Sequence, residues 1–108
     1  MLEQSLLPFA VSSNQHRILG KQVQLKFAED FVLRFTPAEA SSLSFALVAV
    51  REGISPEREI YMSPIASDAA FVGTVQDKGM SIVTPVGAIE LDWSKVGVLA
   101  ESLANAIA

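Results

Sequence analysis

Two successive stretches of alternating apolar and polar residues limit the folds open to this chain more than any other pattern in it. The first covers residues 21–27 and the second covers residues 31–35. A period of two is the side-chain repeat of a β-strand that buries one face. With a loop at residues 28–30, we predict a hairpin whose apolar side chains face one another on a single side. The predicted pairs are Phe27 with Phe31, Leu25 with Leu33, and Val23 with Phe35.

A helix start follows this hairpin directly. Thr36 can accept a hydrogen bond as the N-cap residue, Pro37 suits the first helical position, and Glu39 completes a capping box. Gly53 is typical of the position just past a helix end. We therefore expect a helix that begins near residue 37 and stops near residue 53. The helix is expected to run through Ala40, Leu43, Leu47 and Val50, of which the last three form its predicted inward face.

The same order of signals returns in the second half of the chain. Residues 80–82 and 89–91, joined by a turn at 84–87, predict a second hairpin, and Asp92 can cap a second helix. The apolar stripe of that helix consists of Val96, Leu99, Leu103 and Ile107. A shift of 56 residues places the last strand, the cap and the helix of one half on those of the other. Two interpretations stay open, a tandem repeat with units 1–53 and 54–108 or two unrelated hairpin-helix units.

Shorter apolar segments complete the predicted architecture. Segments 60–62 and 69–75 predict strands, Gly79 is expected to supply a positive φ in a turn at 77–79, and segment 6–11 predicts an edge strand. Half of the 108 residues are hydrophobic, which suits a single core. We predict one α+β domain over residues 1–108, with an antiparallel sheet of about six or seven strands and two helices on one face. The predicted core consists of Val23, Leu25, Phe27, Leu33, Phe35, Leu43, Leu47, Ile82, Ile89, Leu91, Leu99 and Leu103.

Composition excludes several classes of protein and site. The chain has no cysteine, which excludes disulfides and thiolate chemistry. No apolar run approaches the roughly 18 residues typical of a membrane span. Residues 1–4 carry an acid and no Lys or Arg, unlike the start of a secretory signal. We expect a cytoplasmic protein.

The sequence contains no grouping typical of catalysis, of metal binding or of a cofactor site. The single histidine, His16, lies in the polar run 12–17, which predicts a loop. Acidic pairs at 29–30, 57–59 and 90–92 are explained by a hairpin tip, a linker and a helix cap. We predict a non-enzymatic binding or scaffolding protein with no catalytic, cofactor or metal residues. An enzyme site that forms only at an oligomer interface, around His16 and Arg17, stays open as another reading.

The polar face of the first hairpin is the candidate nucleic-acid surface. Its predicted basic residues are Lys26 and Arg34, extended by Arg17 and Lys21, with Gln22 and Gln24 between them. The order of elements resembles the Whirly-type and PC4-type single-strand-binding folds, in which strand-rich units each end in a helix. This resemblance implies single-stranded nucleic-acid binding as the alternative function. The net charge of −4 and the inward phenylalanines disfavour it.

The first predicted helix differs from the second on its outward side. The second carries Glu101 and Asn105 opposite its apolar stripe, whereas the first has no charged residue from 40 to 50. A helix that is apolar all round is normally buried on both sides. We therefore predict a homodimer in which the back of the first helix meets a second copy, unless segment 65–71 or the N-terminal segment covers it. The predicted interface residues are Ser41, Ser44, Phe45 and Val48.

Overall fold

The computed structural model of the chain describes residues 7–18 and 20–108. Within these residues the elements are β1 (Ala10–His16), β2 (Gly20–Ala28), β3 (Phe31–Phe35), α1 (Pro37–Arg51), β4 (Glu59–Met62), β5 (Phe71–Gln76), β6 (Gly79–Thr84), β7 (Gly87–Asp92) and α2 (Trp93–Ile107). The predicted α+β class is confirmed. The strands divide between two antiparallel sheets, β1-β2-β3 and β4-β5-β6-β7, where the sequence suggested one. Neither helix is long and apolar enough to cross a membrane.

The first hairpin keeps the predicted register except at its tip. Val23 lies opposite Phe35 and Leu25 opposite Leu33, as predicted. Near the turn the register shifts, so that Ala28 rather than a phenylalanine lies opposite Phe31. The chain turns at residues 29–30, which leaves one extra residue in β2 and produces a bulge. The rings of Phe27 and Phe31 still stack, with centroids 5.9 Å apart.

β1 lies at the edge of its sheet as predicted, but its bounds differ. It runs from Ala10 to His16 and pairs with β2 at every residue. The prediction of a loop over residues 12–17 is therefore wrong for residues 12–16. Polar side chains form this strand because the backbone of β2 supplies the hydrogen bonds, and an edge strand needs little apolar surface. The first residue of the predicted strand 6–11 lies outside the described residues.

Both helices start at the predicted caps. The Thr36 side chain accepts from the Glu39 N–H at 3.1 Å, and the Thr36 N–H donates to the Glu39 carboxylate at 2.8 Å. In α2 the Asp92 carboxylate accepts from the Lys95 N–H at 2.8 Å. Gly53, with a φ of 76°, follows the end of α1. These local signals determine where the two helices begin and where α1 ends.

The helices pack against each other and touch both sheets. α1 contacts β2, β3 and β4, while α2 contacts β1, β2, β6 and β7. One core cluster therefore runs through the domain. Ten of the twelve predicted core residues are buried, and Phe27 and Ile89 are partly buried against the same cluster.

The turn between β5 and β6 forms as predicted, but Gly79 serves another purpose than the one expected. Positive φ values among the described glycines occur at Gly20, Gly53 and Gly87, so the expected positive φ at Gly79 is wrong. A Cβ atom at Gly79 would collide with the main-chain oxygen of Leu91 and lie 2.7 Å from Asp92 Cα. Glycine is needed here because the backbone of β7 approaches too closely for a side chain.

The loop between β4 and β5 covers the outer edge of β3. Ser67 Oγ accepts from the Arg34 N–H at 2.6 Å and donates to the Arg34 main-chain oxygen at 3.2 Å. The Ile65 N–H donates to the Glu39 carboxylate at 3.2 Å, which ties the same loop to the first turn of α1. A serine side chain thus satisfies backbone groups that a further strand would otherwise use.

Candidate functional site

The two helices lie antiparallel and meet near their centres. Ser44 Oγ donates a hydrogen bond to the main-chain oxygen of Ala100 at 2.8 Å. Arg51, at the end of α1, lies beside Gly97 near the start of α2, since a Cβ atom added there would be 3.2 Å from Arg51 Nε. The start of α1 and the end of α2 line one shared depression. Each helix therefore runs past the other with Ser44 close to the crossing point.

The side of this helix pair that faces away from the core is the candidate site. We call it the helix-pair face, and it consists of Ser41, Ser44, Phe45 and Val48 from α1 with Gly97, Val98, Glu101 and Ala104 from α2. Phe45 is 76% exposed, and Val48 and Val98 are 38% and 37% exposed. Ser41 is exposed, whereas Ser44 is partly buried because its hydroxyl bonds to α2. All four predicted interface residues thus lie on or beside one surface.

No described segment of the chain covers Phe45. The loop that was the alternative cover instead follows the edge of β3, and its Ile65 is 91% exposed. On the N-terminal side, Phe9 packs into the core cluster. Phe45 is therefore a large apolar side chain left open to a partner.

Two shallow grooves cross the helix-pair face. One of about 450 Å³ lies near the end of α1 and the start of α2, and one of about 340 Å³ lies at the opposite end. α1 begins at Pro37 and α2 at Trp93, an offset of 56 residues, and at that offset Ser44 corresponds to Ala100. At the same offset, Ser41 and Ala104 of one groove correspond to Gly97 and Val48 of the other. Phe45 corresponds in the same way to Glu101, so one half presents an aromatic ring where the other presents a carboxylate.

The contribution of α2 to this face was missed by the sequence reasoning. Val98 lies outside the apolar stripe of α2, and that departure from helical spacing was the available signal. Gly97 and Ala104 leave room in the grooves because they carry little or no side chain. The charges on or beside the face are Glu101 and Arg51, and Arg51 pairs with its neighbour Glu52 at 2.8 Å.

The predicted nucleic-acid residues do not share one face. Lys26 and Arg34 lie on the outer side of the three-stranded sheet, and exposed Arg17 lies in the β1–β2 turn. Lys21 points to the opposite side, where its ammonium donates to the main-chain oxygens of Ile107 and Ala108 at 3.0 and 2.8 Å. Lys21 lies two residues before the inward Val23, and side chains two positions apart in a strand lie on the same side of the sheet. The sequence therefore contained a signal for this orientation.

Two further side chains of the candidate nucleic-acid surface are already occupied or covered. Lys26 forms an ion pair with Glu29 at 2.9 Å. That hydrogen bond and the charge of Lys26 lower the pKa of the Glu29 carboxyl. Gln22 is only 6% exposed. The surface therefore offers fewer donors to phosphate groups than the sequence suggested.

The ionisable groups of the described residues are dispersed. His16 is exposed at the end of β1, and its Nδ1 accepts from the Ile18 N–H at 3.1 Å. Glu90 accepts from the Ser81 hydroxyl at 2.8 Å. A hydrogen bond from the Lys95 N–H is the main cause that lowers the pKa of Asp92, a helix cap. Across residues 7–18 and 20–108, no three His, Cys, Asp or Glu side chains are grouped so that they could hold a metal ion.

A third, more polar groove of about 400 Å³ lies where the end of α1 meets the start of α2 and the β5–β6 turn. Arg51 and Arg58 reach it from one side and Asp77 from the other. Trp93 also lines it, but the indole N–H donates to the Asp77 main-chain oxygen at 3.0 Å. Basic and acidic groups are mixed here, which gives the groove no preference for one sign of ligand charge.

Comparisons of the chain with protein-family models, with curated proteins and with solved structures find no match. The resemblance to Whirly-type and PC4-type folds stays one of element order.

Proposed function

We propose that this protein is a non-enzymatic binding or scaffolding module that acts as a homodimer through the helix-pair face. One observation carries the proposal, the 76% exposure of Phe45 on a helix without charge from residue 40 to residue 50. An exposed aromatic side chain on the same face as exposed Val48 and Val98 is typical of a surface that a partner covers.

The chemistry of the face supports a second copy as the partner. In a two-fold interface the same patch meets itself, so a patch with charges of one sign would repel its copy. The helix-pair face carries one charged residue, Glu101, and at its margin Arg51 pairs with Glu52. Phe45 lines the groove at the start of α1 and the end of α2. Exposed aromatic side chains of this kind often dominate the binding energy of an interface.

Single-stranded nucleic-acid binding receives less support. Lys26 is paired with Glu29, and Lys21 lies on the opposite side of the sheet. A titration with a labelled single-stranded oligonucleotide, at low and at moderate salt, separates the two functions. Binding that weakens with salt would favour the nucleic-acid function, because phosphate contacts release counterions. A cytoplasmic location stays a prediction from the sequence.

We also propose that the two halves arose by duplication. Both helices are 15 residues long, both follow a capping side chain, and β3 and β7 precede them at the same offset. The contact between Ser44 and Ala100 joins equivalent positions of the two halves. Homologous chains whose halves resemble each other in residue identity would support the duplication, and halves no more alike than unrelated hairpin-helix units would contradict it.

Phe45→Glu tests the dimer. The new carboxylate would be desolvated in the interface, so we expect the mass of the assembly in size exclusion with light scattering to halve. Val86→Glu is the matched control, because Val86 is 80% exposed in the β6–β7 turn and belongs to no part of the helix-pair face. An unmodified protein with the mass of one chain, 11.6 kDa, at high concentration would defeat the proposal.

A further inference from the structure

Among the described residues, no strand pairs with the outer edge of β1 in the three-stranded sheet. β1 pairs with β2 over all seven residues and without the register shift seen in the next strand pair. Residues 10–15 contain neither a charge nor a proline. Within the described chain, the hydrogen bonds of these six residues lie in the β1–β2 ladder. The backbone groups on the other side of β1 are therefore available to another strand.

The opposite edge of the same sheet is protected. Ser67 bonds both the N–H and the main-chain oxygen of Arg34 in β3. Natural sheets usually protect their edges with such covering loops, with lysines, with proline or with a bulge. Residues 10–15 of β1 contain no lysine and no proline, and their pairing with β2 has no bulge.

We propose that β1 pairs in antiparallel fashion with β1 of a second copy. The two sheets then form one continuous six-stranded sheet across a two-fold axis. This interface is separate from the helix-pair face. It therefore goes beyond the proposed dimer.

The sequence of β1 is compatible with pairing to itself. An axis at Ser13 keeps facing residues on the same side of the sheet, as antiparallel pairing requires. The resulting pairs are Ser13 with Ser13, Ser12 with Asn14, and Val11 with Gln15. No like charges face each other in this register, although the chain as a whole carries a net charge of −4. A second copy thus meets β1 without the repulsion expected elsewhere on its surface.

Two different two-fold interfaces on one chain close into a tetramer with D2 symmetry when their axes are perpendicular and intersect. Axes in any other relation would give a larger ring or an open chain of copies, and we take the closed tetramer. The helix-pair face joins two chains, and β1 joins two such pairs. We therefore expect four chains in the assembly of the unmodified protein.

Lysines on the edge strand test the pairing. In the double variant Ser12→Lys with Asn14→Lys, both substitutions fall on the exposed outer side of β1, away from the core. Four lysines would then crowd around the axis, so we expect the mass to fall twofold. Thr74→Lys with Val83→Lys is the control, since both residues are exposed strand positions of the other sheet. Circular dichroism checks that each variant keeps its fold.

The masses of three proteins separate the two proposals. Four chains in the unmodified protein, two in the edge variant and two in Phe45→Glu support both interfaces. An edge variant with the mass of the unmodified protein overturns the pairing, even when Phe45→Glu halves that mass and the helix-face dimer stands. Two chains in the unmodified protein, one in the edge variant and two in Phe45→Glu support the pairing and overturn the helix-face dimer. A monomeric unmodified protein overturns both.

Amide hydrogen exchange supplies a second readout. The outward N–H groups of residues 11–15 should exchange more slowly as protein concentration rises, because the partner strand protects them. Exchange at these amides that does not depend on concentration would overturn the pairing.

Discussion

α1 and α2 share most of their design and differ on their outward sides. Each spans 15 residues, follows a capping side chain and buries four residues of its inner face. At the position where α1 carries Phe45, α2 carries Glu101, and where α1 carries Val48, α2 carries Ala104. The shared features are those that folding requires. The outward positions are free of that requirement, and there the two halves have different surfaces.

The largest expected effect comes from equivalent buried leucines. Leu43 and Leu99 are both fully buried, so replacing either with Ala should lower the free energy of unfolding by about 2–5 kcal/mol. Urea unfolding measures this loss of free energy. Each variant is made in the Phe45→Glu background, so that the helix-face interface does not contribute. Val98→Ala, at a site 37% exposed, is the control and should cost less. A loss below about 0.5 kcal/mol at one leucine would show that the inner faces are not equivalent.

The two capping side chains should differ in how much they stabilise the protein and in how that stabilisation depends on pH. Thr36→Ala removes the acceptor of the capping box and should cost about 1 kcal/mol, while Ser42→Ala at an exposed site of α1 should change little. Asp92→Asn keeps an acceptor oxygen and removes only the charge, so we expect a smaller loss at neutral pH. An Asp92→Asn variant less stable than Thr36→Ala would reverse the expected order.

The pKa of Asp92 gives the sign of the pH effect. Because folding lowers this pKa, the charge stabilises the folded state fully above the unfolded pKa, and the stabilisation is lost as pH falls through the folded pKa. The difference in unfolding free energy between the unmodified protein and Asp92→Asn should therefore shrink on acidification. Urea titrations at several pH values measure it. A difference that grows toward acid would contradict this assignment.

The smallest expected effect concerns the end of α2. Lys21 places its ammonium on the last main-chain oxygens of α2, where a cation interacts favourably with the helix dipole. Lys21→Ala should cost about 0.5 kcal/mol, less at high salt, whereas Lys78→Ala in the exposed β5–β6 turn should leave stability unchanged. If the two substitutions lower the unfolding temperature equally, the contact of Lys21 does not stabilise the end of α2.

Features encoded by neighbouring residues were predictable from the sequence. The capping box at Thr36 and the Asp92 cap depend on residues three positions apart, and the pairing of Val23 with Phe35 depends on one short hairpin. The same holds for the α1 half of the candidate site, because the absence of charge around Phe45 is visible on a helical wheel. The dimer itself stays a prediction.

Features set by distant contacts were not predictable. The division into two sheets depends on where α1 and α2 pack, which no local pattern records. β1 has no apolar alternation at residues 12–16, and it forms because β2 lies beside it. Gly79 is required by the approach of β7, a strand that follows later in the chain. The α2 half of the candidate site needed the relative position of the two helices.

The hydroxyl of Ser67 has a consequence for how far such a sheet can grow. A sheet that is open at both edges can recruit copies without limit and polymerise into fibres. Here β3 is already bonded through Arg34, so pairing at β1 would use the sheet's one uncovered edge and leave a β3 strand at each end. We therefore expect the Ser67 hydroxyl to hinder polymerisation through this sheet, because it occupies both backbone groups of Arg34. Ser67→Ala would free those groups, and the expected result is concentration-dependent binding of thioflavin to a protein that otherwise stays finite in size.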